Sequence, residues 1–335
     1  MATKYSEVLL AVKFREKNKY GDWVGGPMYY IKNGLGKNWK WLGAIFCIFA
    51  ALAAFGIGNA VQVGNITDSV NTVILSFNPD FSGQSTVNVV LGLILVVLTA
   101  IVLFGGIKRL GAVTEKLVPF MAVVYIVACV IVLEYYGAYL PAVFSKIFTG
   151  AFSPEGVTGG AVGSVILVIT WGVKRGVFSN EAGLGSAPMA HAASDTQEPV
   201  EQGMWGVFEV FVDTIVICTL TSMAILLSGV LEYDLSSFAS NGAAAAAAFN
   251  AILPGTIGGT VLQISLLFFA LSTILGWSYY GERCWGYLSN NNKVVNVIFK
   301  IAFVLMCVVG SVGSGTLMWN CLLYTSPSPR DAHES

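Results

Sequence analysis

Long apolar runs separated by short polar stretches dominate this chain. A helix needs about 20 mostly apolar residues to cross the hydrocarbon core of a bilayer. By that measure we predict membrane segments at residues 41–61, 87–106, 117–136, 159–193, 205–231, 257–280 and 294–318.

The segment at 159–193 departs from the pattern of the others. Its apolar part, 161–169, is too short to cross a bilayer, and glycines and charges follow it at membrane depth: Gly172, Lys174, Arg175, Gly176, Glu181, Gly183 and Gly185. Non-helical backbone at that depth is tolerated only where it lines a cavity or is buried in protein. Short, glycine-interrupted apolar segments point to the binding site of a transporter. We therefore predict a discontinuous helix, whose first half ends near Gly172 and whose second half begins near Asn180.

Composition agrees with an all-α polytopic membrane protein. Of 335 residues, 55% are hydrophobic and only 11% are charged, against about 25% charged in soluble domains. The net charge of −1 gives no reason to expect a nucleic-acid partner. The cysteines show neither metal-site nor disulfide spacing. Clustered histidines, cysteines or paired interfacial acids are missing, so we expect no enzyme and no cofactor.

Basic residues in the loops predict the orientation, because cytoplasmic loops carry the excess of Lys and Arg. Eight such residues precede the first full span: Lys4, Lys13, Arg15, Lys17, Lys19, Lys32, Lys37 and Lys40. We therefore place the N-terminal segment in the cytoplasm and the loops near 66–86, 136–158 and 231–256 outside.

Both ends of the chain are abrupt. The polar stretch LLYTSPSPRDAHES at 322–335 follows a membrane segment directly and looks like read-through rather than native sequence. We expect residues 1–321 to form a single transmembrane transporter domain that is incomplete at both ends.

Several sequence blocks resemble the alanine or glycine:cation symporter family, also called sodium:alanine symporters. They are MATKYSEVLLAVKFR (1–15), GGPMYYIKNGLG (25–36), GIGNAVQVGNI (56–66), WGVKRGVFSNEAGLGSAP (171–188) and STILGWSYYGER (272–283). The resemblance implies a LeuT-type fold of two inverted five-helix repeats. This chain would carry core helices three to nine, with the broken segment as core helix six. It also implies a multi-pass protein of a bacterial-type inner membrane.

The break itself is the first candidate site. Freed backbone groups and the positive N-terminus of a half-helix suit a substrate carboxylate, and freed carbonyls suit a cation or an ammonium group. The residues there are Trp171, Gly172, Phe178, Ser179 and Asn180, and Asn180 could also cap the second half-helix.

The second candidate is the hydroxyl pair Ser272 and Thr273 within an apolar helix. Sodium prefers hard oxygen ligands. The alternative is that each hydroxyl bonds the carbonyl one turn earlier, as is common in membrane helices. Family resemblance implies the sodium role.

Three further residues are candidates for the substrate pocket. Asn59 and Gln62 lie three apart on one helical face and either form a polar pocket wall or hydrogen-bond a neighbouring helix. Trp277 lies four residues after Thr273 and either covers a small substrate side chain or packs.

Two acids, Glu209 and Asp213, lie four apart within a span. Ionisable groups there are functional candidates by default, so a cation path and a structural polar pair are both open.

Resemblance implies sodium-coupled symport of a small neutral amino acid, alanine or glycine, by alternating access. The alternatives are a proton-coupled transporter of another small solute, carried by these two acids, a channel, or an inactive fragment.

Overall fold

The computed structural model describes residues 1–152, 161–230, 241–251 and 255–313, and most of these are helical. The elements in chain order are α1 (Ala2–Lys13), β1 (Glu16–Lys17), β2 (Trp23–Val24), α2 (Pro27–Tyr30), α3 (Lys40–Phe55), α4 (Val61–Phe77), α5 (Gln84–Phe104), α6 (Gly106–Tyr135), α7 (Leu140–Phe152), α8 (Ala161–Asn180), α9 (Ala187–His191), α10 (Pro199–Val210), α11 (Cys218–Leu227), α12 (Asn241–Asn250), α13 (Ile257–Leu288) and α14 (Lys293–Val312). Strands β1 and β2 form a small antiparallel hairpin, in which Glu16 pairs with Val24.

Three π-helical stretches extend these helices. Ile31–Leu35 continues α2, Gly56–Ala60 joins α3 to α4, and Phe211–Ile217 joins α10 to α11. Single turns of 3₁₀-helix, Lys37–Trp39 and Gly137–Tyr139, precede α3 and α7.

Among the described residues, six helical stretches are long and apolar enough to cross a membrane. They are Lys37–Phe77, Gln84–Phe104, Arg109–Tyr135, Pro199–Leu227, Ile257–Leu288 and Lys293–Val312. Only 17–39% of the most apolar window of each is buried. So much exposed apolar surface is expected of helices that face lipid. The prediction of a helical, polytopic membrane protein is confirmed.

Several predicted loops are shorter than expected. The loop predicted at 66–86 shrinks to residues 78–83, because α4 continues to Phe77. Its hydroxyl side chains bond their own helix, as Thr72 does to the carbonyl of Asp68 at 2.7 Å, so they do not end it. Helix α7 occupies much of the loop predicted at 136–158, and α12 lies in the loop predicted at 231–256. The tail at 322–335 lies outside the described residues.

The chain divides into two compact units. Over the residues that the structure describes, the first unit falls within residues 1–43 and 122–262, and the second within 44–121 and 263–313. In the first unit α1 packs closely on α10, because Gly203 and Gly206 carry no side chain at the contact. A Cβ at Gly203 would lie 2.8 Å from the ring of Tyr5. Small residues bring membrane helices together in this way.

The core of the second unit is formed by α4, α5, α13 and α14 with the Gly56–Ala60 π-helix. Phe303 is fully buried, and its ring centroid lies 5.7 Å from that of Phe299 and 6.0 Å from that of Phe55. A Cβ at Gly310 of α14 would lie 2.8 Å from the Cα of Ala60. The π-helix is therefore held firmly between its neighbours.

Candidate functional site

The backbone break in the first unit lies after Asn180, later than predicted. Helix α8 runs without interruption through Gly172 to Asn180. Residues 181–186 are non-helical, with φ of 54° at Glu181, 95° at Gly183 and 76° at Gly185. The prediction of an end near Gly172 was wrong, because a single helical glycine costs only about 1 kcal/mol. A membrane helix also keeps its backbone bonded internally.

Helix α1 holds this break from one side. The ammonium of Lys4 donates to the carbonyl oxygen of Asn180 at 3.0 Å, and the carboxylate of Glu7 accepts the backbone N–H of Gly183 at 3.1 Å. Within the break the hydroxyl of Ser186 donates to Glu181 at 2.8 Å. The end of α8 is thus satisfied by a cation, which suits the negative end of the helix dipole.

Lys4 also belongs to a charge network, which we call the Lys4–Glu209–His191 network. The Lys4 side chain has no solvent exposure, and its Nζ lies 3.3 Å from Glu209 Oε1. His191 Nε2 lies 3.1 Å from Glu209 Oε2, and Gln202 Nε2 lies 2.8 Å from His191 Nδ1. Because the amide of Gln202 donates to Nδ1, the proton of a neutral ring lies on Nε2 and faces Glu209.

This network was not predicted from the sequence. Lys4 was counted among the loop charges, and His191 was not among the candidate residues. A signal was present, since Lys4 lies one turn before Val8 and two turns before Ala11 on the buried face of α1. A charge in line with buried apolar positions is better interpreted as the partner of an acid on a neighbouring helix than as evidence of orientation.

Arg15, also counted as a loop charge, holds the segment after α9. Its guanidinium donates to the carbonyl oxygens of Ala192 at 3.2 Å, Ser194 at 2.7 Å and Thr196 at 2.6 Å. Burial lowers the pKa of Arg15, and the nearby carboxylate of Asp195 opposes that change. The chain is therefore fixed on both sides of α9.

The last turn of α8 meets the Phe211–Ile217 π-helix. Ser179 Oγ donates to both carboxylate oxygens of Asp213, at 2.9 and 2.8 Å. Asn180 Nδ2 donates to Thr214 Oγ1 at 3.2 Å, while Asn180 Oδ1 accepts the N–H of Ala182 at 3.0 Å. Asn180 therefore closes the turn after α8. The sequence had suggested that Asn180 could cap the next helix, but it does not, because α9 begins only at Ala187.

The other residues predicted at the break lie within α8. Gly172 is helical, and a Cβ placed on it would meet nothing within 4 Å. Phe178 is half-buried in the last turn. Trp171 is helical too, but its side chain lies outside the described part of the structure. Their role as substrate contacts stays a prediction.

In the second unit the Gly56–Ala60 π-helix carries a buried amide. Asn59 has no solvent exposure, and its Nδ2 donates to the carbonyl oxygen of Phe303 at 2.8 Å. Its Oδ1 has no hydrogen-bond partner among the described residues. Gln62 Nε2 donates to the carbonyl oxygen of Ile57 at 3.1 Å, so it binds within the π-helical turn. Gln62 Oε1 also accepts from Asn65 Nδ2 at 3.4 Å, so local bonds use both ends of the Gln62 amide and one end of the Asn59 amide. The pocket role of both residues stays a prediction.

Trp277 packs directly on the same π-helix. A Cβ at Gly58 would lie 2.8 Å from Trp277 Cδ2 and nearer still to its Cβ and Cγ. The indole is 7% exposed and lies edge-on to Tyr280, with ring centroids 5.6 Å apart. These contacts match the packing alternative, and a covering role over substrate stays a prediction.

The hydroxyl pair on α13 makes local bonds. Ser272 Oγ donates to the carbonyl oxygen of Phe269 at 2.8 Å, and Thr273 Oγ1 donates to the same oxygen at 2.9 Å. Each hydroxyl oxygen keeps lone pairs for a cation while it donates. The local bonds of the alternative interpretation are present, and the sodium role stays a prediction.

The chemistry of these candidate residues is that of hard, uncharged oxygen ligands. Within the described ranges, no group of three or more His, Cys, Asp and Glu residues could hold a metal ion. Carbonyl and hydroxyl oxygens of this kind suit sodium rather than a soft transition metal.

Six apolar spans in the described part of the chain, two of them with a π-helical turn that carries a polar side chain, and a non-helical segment after α8 indicate a class of protein, a helical membrane transporter. The sequence profile of the sodium:alanine symporter family matches residues 1–323. The chain belongs to this family, whose members are cation-coupled amino-acid symporters rather than enzymes.

Known relatives agree with this assignment. The sodium/alanine symporter AgcS of Methanococcus maripaludis is 42% identical over 96% of this chain and 67% of its own length. The probable sodium/glutamine symporter GlnT of Bacillus subtilis is 35% identical over 95% and 62%. The putative sodium/proton-dependent alanine carrier protein YrbD of Bacillus subtilis is 32% identical over 95% and 65%. The chain spans about two thirds of the length of these relatives.

Proposed function

We propose that this protein imports a small neutral amino acid, alanine or glycine, by sodium-coupled symport with alternating access. The observation that carries the proposal is the non-helical segment 181–186, which directly follows α8 in a member of the sodium:alanine symporter family. Backbone groups freed at membrane depth are used by transporters to bind substrate and coupling ions.

The proposed substrate site is lined by uncharged groups. Its residues are Asn59, Gln62, Trp171, Gly172, Phe178, Ser179, Asn180 and Trp277. An amino-acid zwitterion carries its own two charges, and backbone dipoles suit both. None of these side chains would neutralise a third charge, so an uncharged substrate side chain fits best. Alanine is favoured over glutamine because AgcS is more similar to this chain than GlnT is.

The proposed coupling ion is sodium, bound by the hydroxyls of Ser272 and Thr273. Linkage makes the coupling reciprocal, so sodium tightens amino-acid binding by the same factor that the amino acid tightens sodium binding. We further propose a LeuT-type arrangement in a bacterial-type inner membrane with the N-terminal segment cytoplasmic. Since Lys4 is buried, the remaining basic residues before the first span carry that orientation.

Uptake of labelled alanine into proteoliposomes tests the proposal, with an inward sodium gradient compared with an equal potassium gradient. The full-length gene product is used beside Thr273→Ala. The matched control is Thr260→Ala, because Thr260 Oγ1 makes the same kind of local bond on α13, to Thr256 at 2.8 Å. We expect sodium-dependent, saturable uptake that Thr273→Ala weakens and Thr260→Ala leaves intact. Uptake indifferent to sodium would contradict the proposal.

Proton coupling is the second candidate, and the Lys4–Glu209–His191 network favours it. A histidine 3.1 Å from a carboxylate inside a span is a plausible proton carrier. In this case uptake follows an imposed pH gradient without sodium, and His191→Gln abolishes that dependence. Uptake that needs sodium and ignores the pH gradient excludes this candidate.

A further inference from the structure

Two acids lie on one membrane-spanning stretch, and their surroundings differ. Glu209 is paired with Lys4 at 3.3 Å and lies 3.1 Å from His191. Asp213 lies in the Phe211–Ile217 π-helix, and among the described residues it forms no ion pair with a basic side chain. An ionisable group inside a span needs a compensating partner. For Glu209 the protein supplies that partner, whereas the hydrogen bonds to the Asp213 side chain in the described part of the chain come from hydroxyls.

The hydroxyls around Asp213 come from two elements. Ser179, in the last turn of α8, donates to both carboxylate oxygens, and Thr214 Oγ1 donates to Asp213 Oδ2 at 3.1 Å. Asn180 Nδ2 fixes Thr214 by donating to its hydroxyl at 3.2 Å. The Ser179 side chain is exposed, so an ion has access to the cluster.

One carboxylate and two hydroxyls are hard oxygen ligands, the class that sodium prefers. A hydroxyl carries two lone pairs and a hydrogen that rotates, so Ser179 and Thr214 are able to turn their oxygens towards a cation. The carboxylate of Asp213 also carries the negative charge that would compensate the positive charge of a bound sodium ion.

We propose that Asp213, Ser179 and Thr214 form a sodium site in the first unit. This inference rests on the proposed sodium coupling and adds a ligand set to it. Ser179 immediately precedes Asn180, where α8 ends, so an ion here joins the end of α8 to the π-helix of the neighbouring span. Sodium binding then orders the residues next to the 181–186 segment. Because substrate is proposed to bind at that segment, this ordering couples sodium binding to substrate binding.

Binding of ²²Na⁺ to the purified full-length gene product tests the site, together with the sodium concentration that half-saturates alanine uptake. Asp213→Asn keeps the size of the side chain and removes its charge. Thr214→Val keeps the shape and removes one oxygen. We expect each to weaken sodium binding and raise the half-saturating sodium concentration by about tenfold or more. Asp80→Asn is the matched control, because Asp80 is exposed outside the spans.

The outcomes separate this inference from the proposed function. A wild-type protein without sodium-dependent uptake overturns the proposed function itself. If wild-type uptake needs sodium while Asp213→Asn and Thr214→Val both bind ²²Na⁺ normally, the site is overturned and the symporter stands. If Asp213→Asn removes only a pH dependence and leaves ²²Na⁺ binding unchanged, Asp213 carries a proton and the sodium site is again overturned. Thr214→Val provides an independent test of the site in case Asp213→Asn does not fold.

Discussion

Removing either partner of the Lys4–Glu209 pair should destabilise the protein, and the two removals should differ. Glu209→Gln leaves the Lys4 ammonium fully buried without its ion-pair partner. Among the described residues it keeps the hydrogen bond to the carbonyl of Asn180 and the more distant charge of Glu7. A buried charge that loses its counter-charge costs about 3–5 kcal/mol. Lys4→Met leaves no buried cation, and Glu209 keeps His191 and is 47% exposed. Its main loss is the charge-assisted bonding of the Lys4 ammonium to Glu209 and to the carbonyl of Asn180, about 1.5–3 kcal/mol.

The double variant Lys4→Met/Glu209→Gln sharpens this test. Since neither charge remains, its cost should be close to that of Lys4→Met alone. The two single costs should therefore fail to add, as expected of residues in contact. The shortfall should be close to the cost of Glu209→Gln itself, about 3–5 kcal/mol. Glu198→Gln is the control, because Glu198 is exposed and starts the same helix. It should cost less than about 1 kcal/mol through the helix dipole.

The measurement is the thermal unfolding midpoint of each purified variant in one detergent, followed by tryptophan fluorescence. Midpoints should fall in the order wild type, Glu198→Gln, Lys4→Met with the double variant, and lastly Glu209→Gln. If Glu209→Gln were no less stable than Lys4→Met, or if the two changes added, the ammonium of Lys4 would not depend on this carboxylate and the reasoning would be refuted.

Three further stability predictions follow, all read from the same unfolding midpoints. Gly183→Ala should cost about 1–2 kcal/mol because φ is 95° there, while Gly172→Ala within α8 should gain about 0.5–1 kcal/mol; equal midpoints would contradict the position of the break. Gly58→Ala should cost about 1–3 kcal/mol by overpacking against the indole that covers it, and a wild-type midpoint would contradict that contact. Burial alone would raise the pKa of Glu16. The hydrogen bonds and positive charge of Lys32 lower this pKa by more, so that it lies below its usual value. The stability that this carboxylate contributes is therefore present above its ordinary pKa and is lost as the pH falls through the lower pKa of the folded state. Glu16→Gln should cost about 0.2–1 kcal/mol at neutral pH and nothing in strong acid. An equal cost at both pH values would contradict this.

The membrane spans were predictable from the sequence because they depend on local composition. A run of apolar residues is enough to identify a span, and the six qualifying stretches coincide with predicted segments. Helix ends were less predictable. Polar residues in α4 looked like a loop, but their hydroxyls bond the helix itself, and so α4 continues to Phe77.

The position of the break and the partners of charged residues depend on tertiary packing. Glycines are dense from Gly172 to Gly185, so the sequence located the region. The non-helical backbone lies where α1 contacts it, as at Gly183, whose N–H donates to the carboxylate of Glu7 on α1. Lys4 is paired with a residue far away in the sequence, and no local pattern contains that information.

The two acids also show why spacing alone misled. In an α-helix, residues four apart share a face, so Glu209 and Asp213 were expected to act together. The chain changes from α-helix to π-helix at Phe211, between them. A π-helical turn is wider, with bonds to the fifth residue rather than the fourth, and the shared face is lost. Glu209 consequently meets α1 while Asp213 meets the last turn of α8.

The same relation between π-helix and polar side chain recurs in each unit. Gly56–Ala60 presents Asn59 to the carbonyl of Phe303, and Phe211–Ile217 presents Asp213 to Ser179. π-Helical turns inside α-helices are rare and occur often at functional sites, since an irregular backbone within a span is retained only where it lines a cavity or protein. That two spans of this chain carry one, each with a polar residue singled out from the sequence, supports placing substrate and ion contacts at these turns.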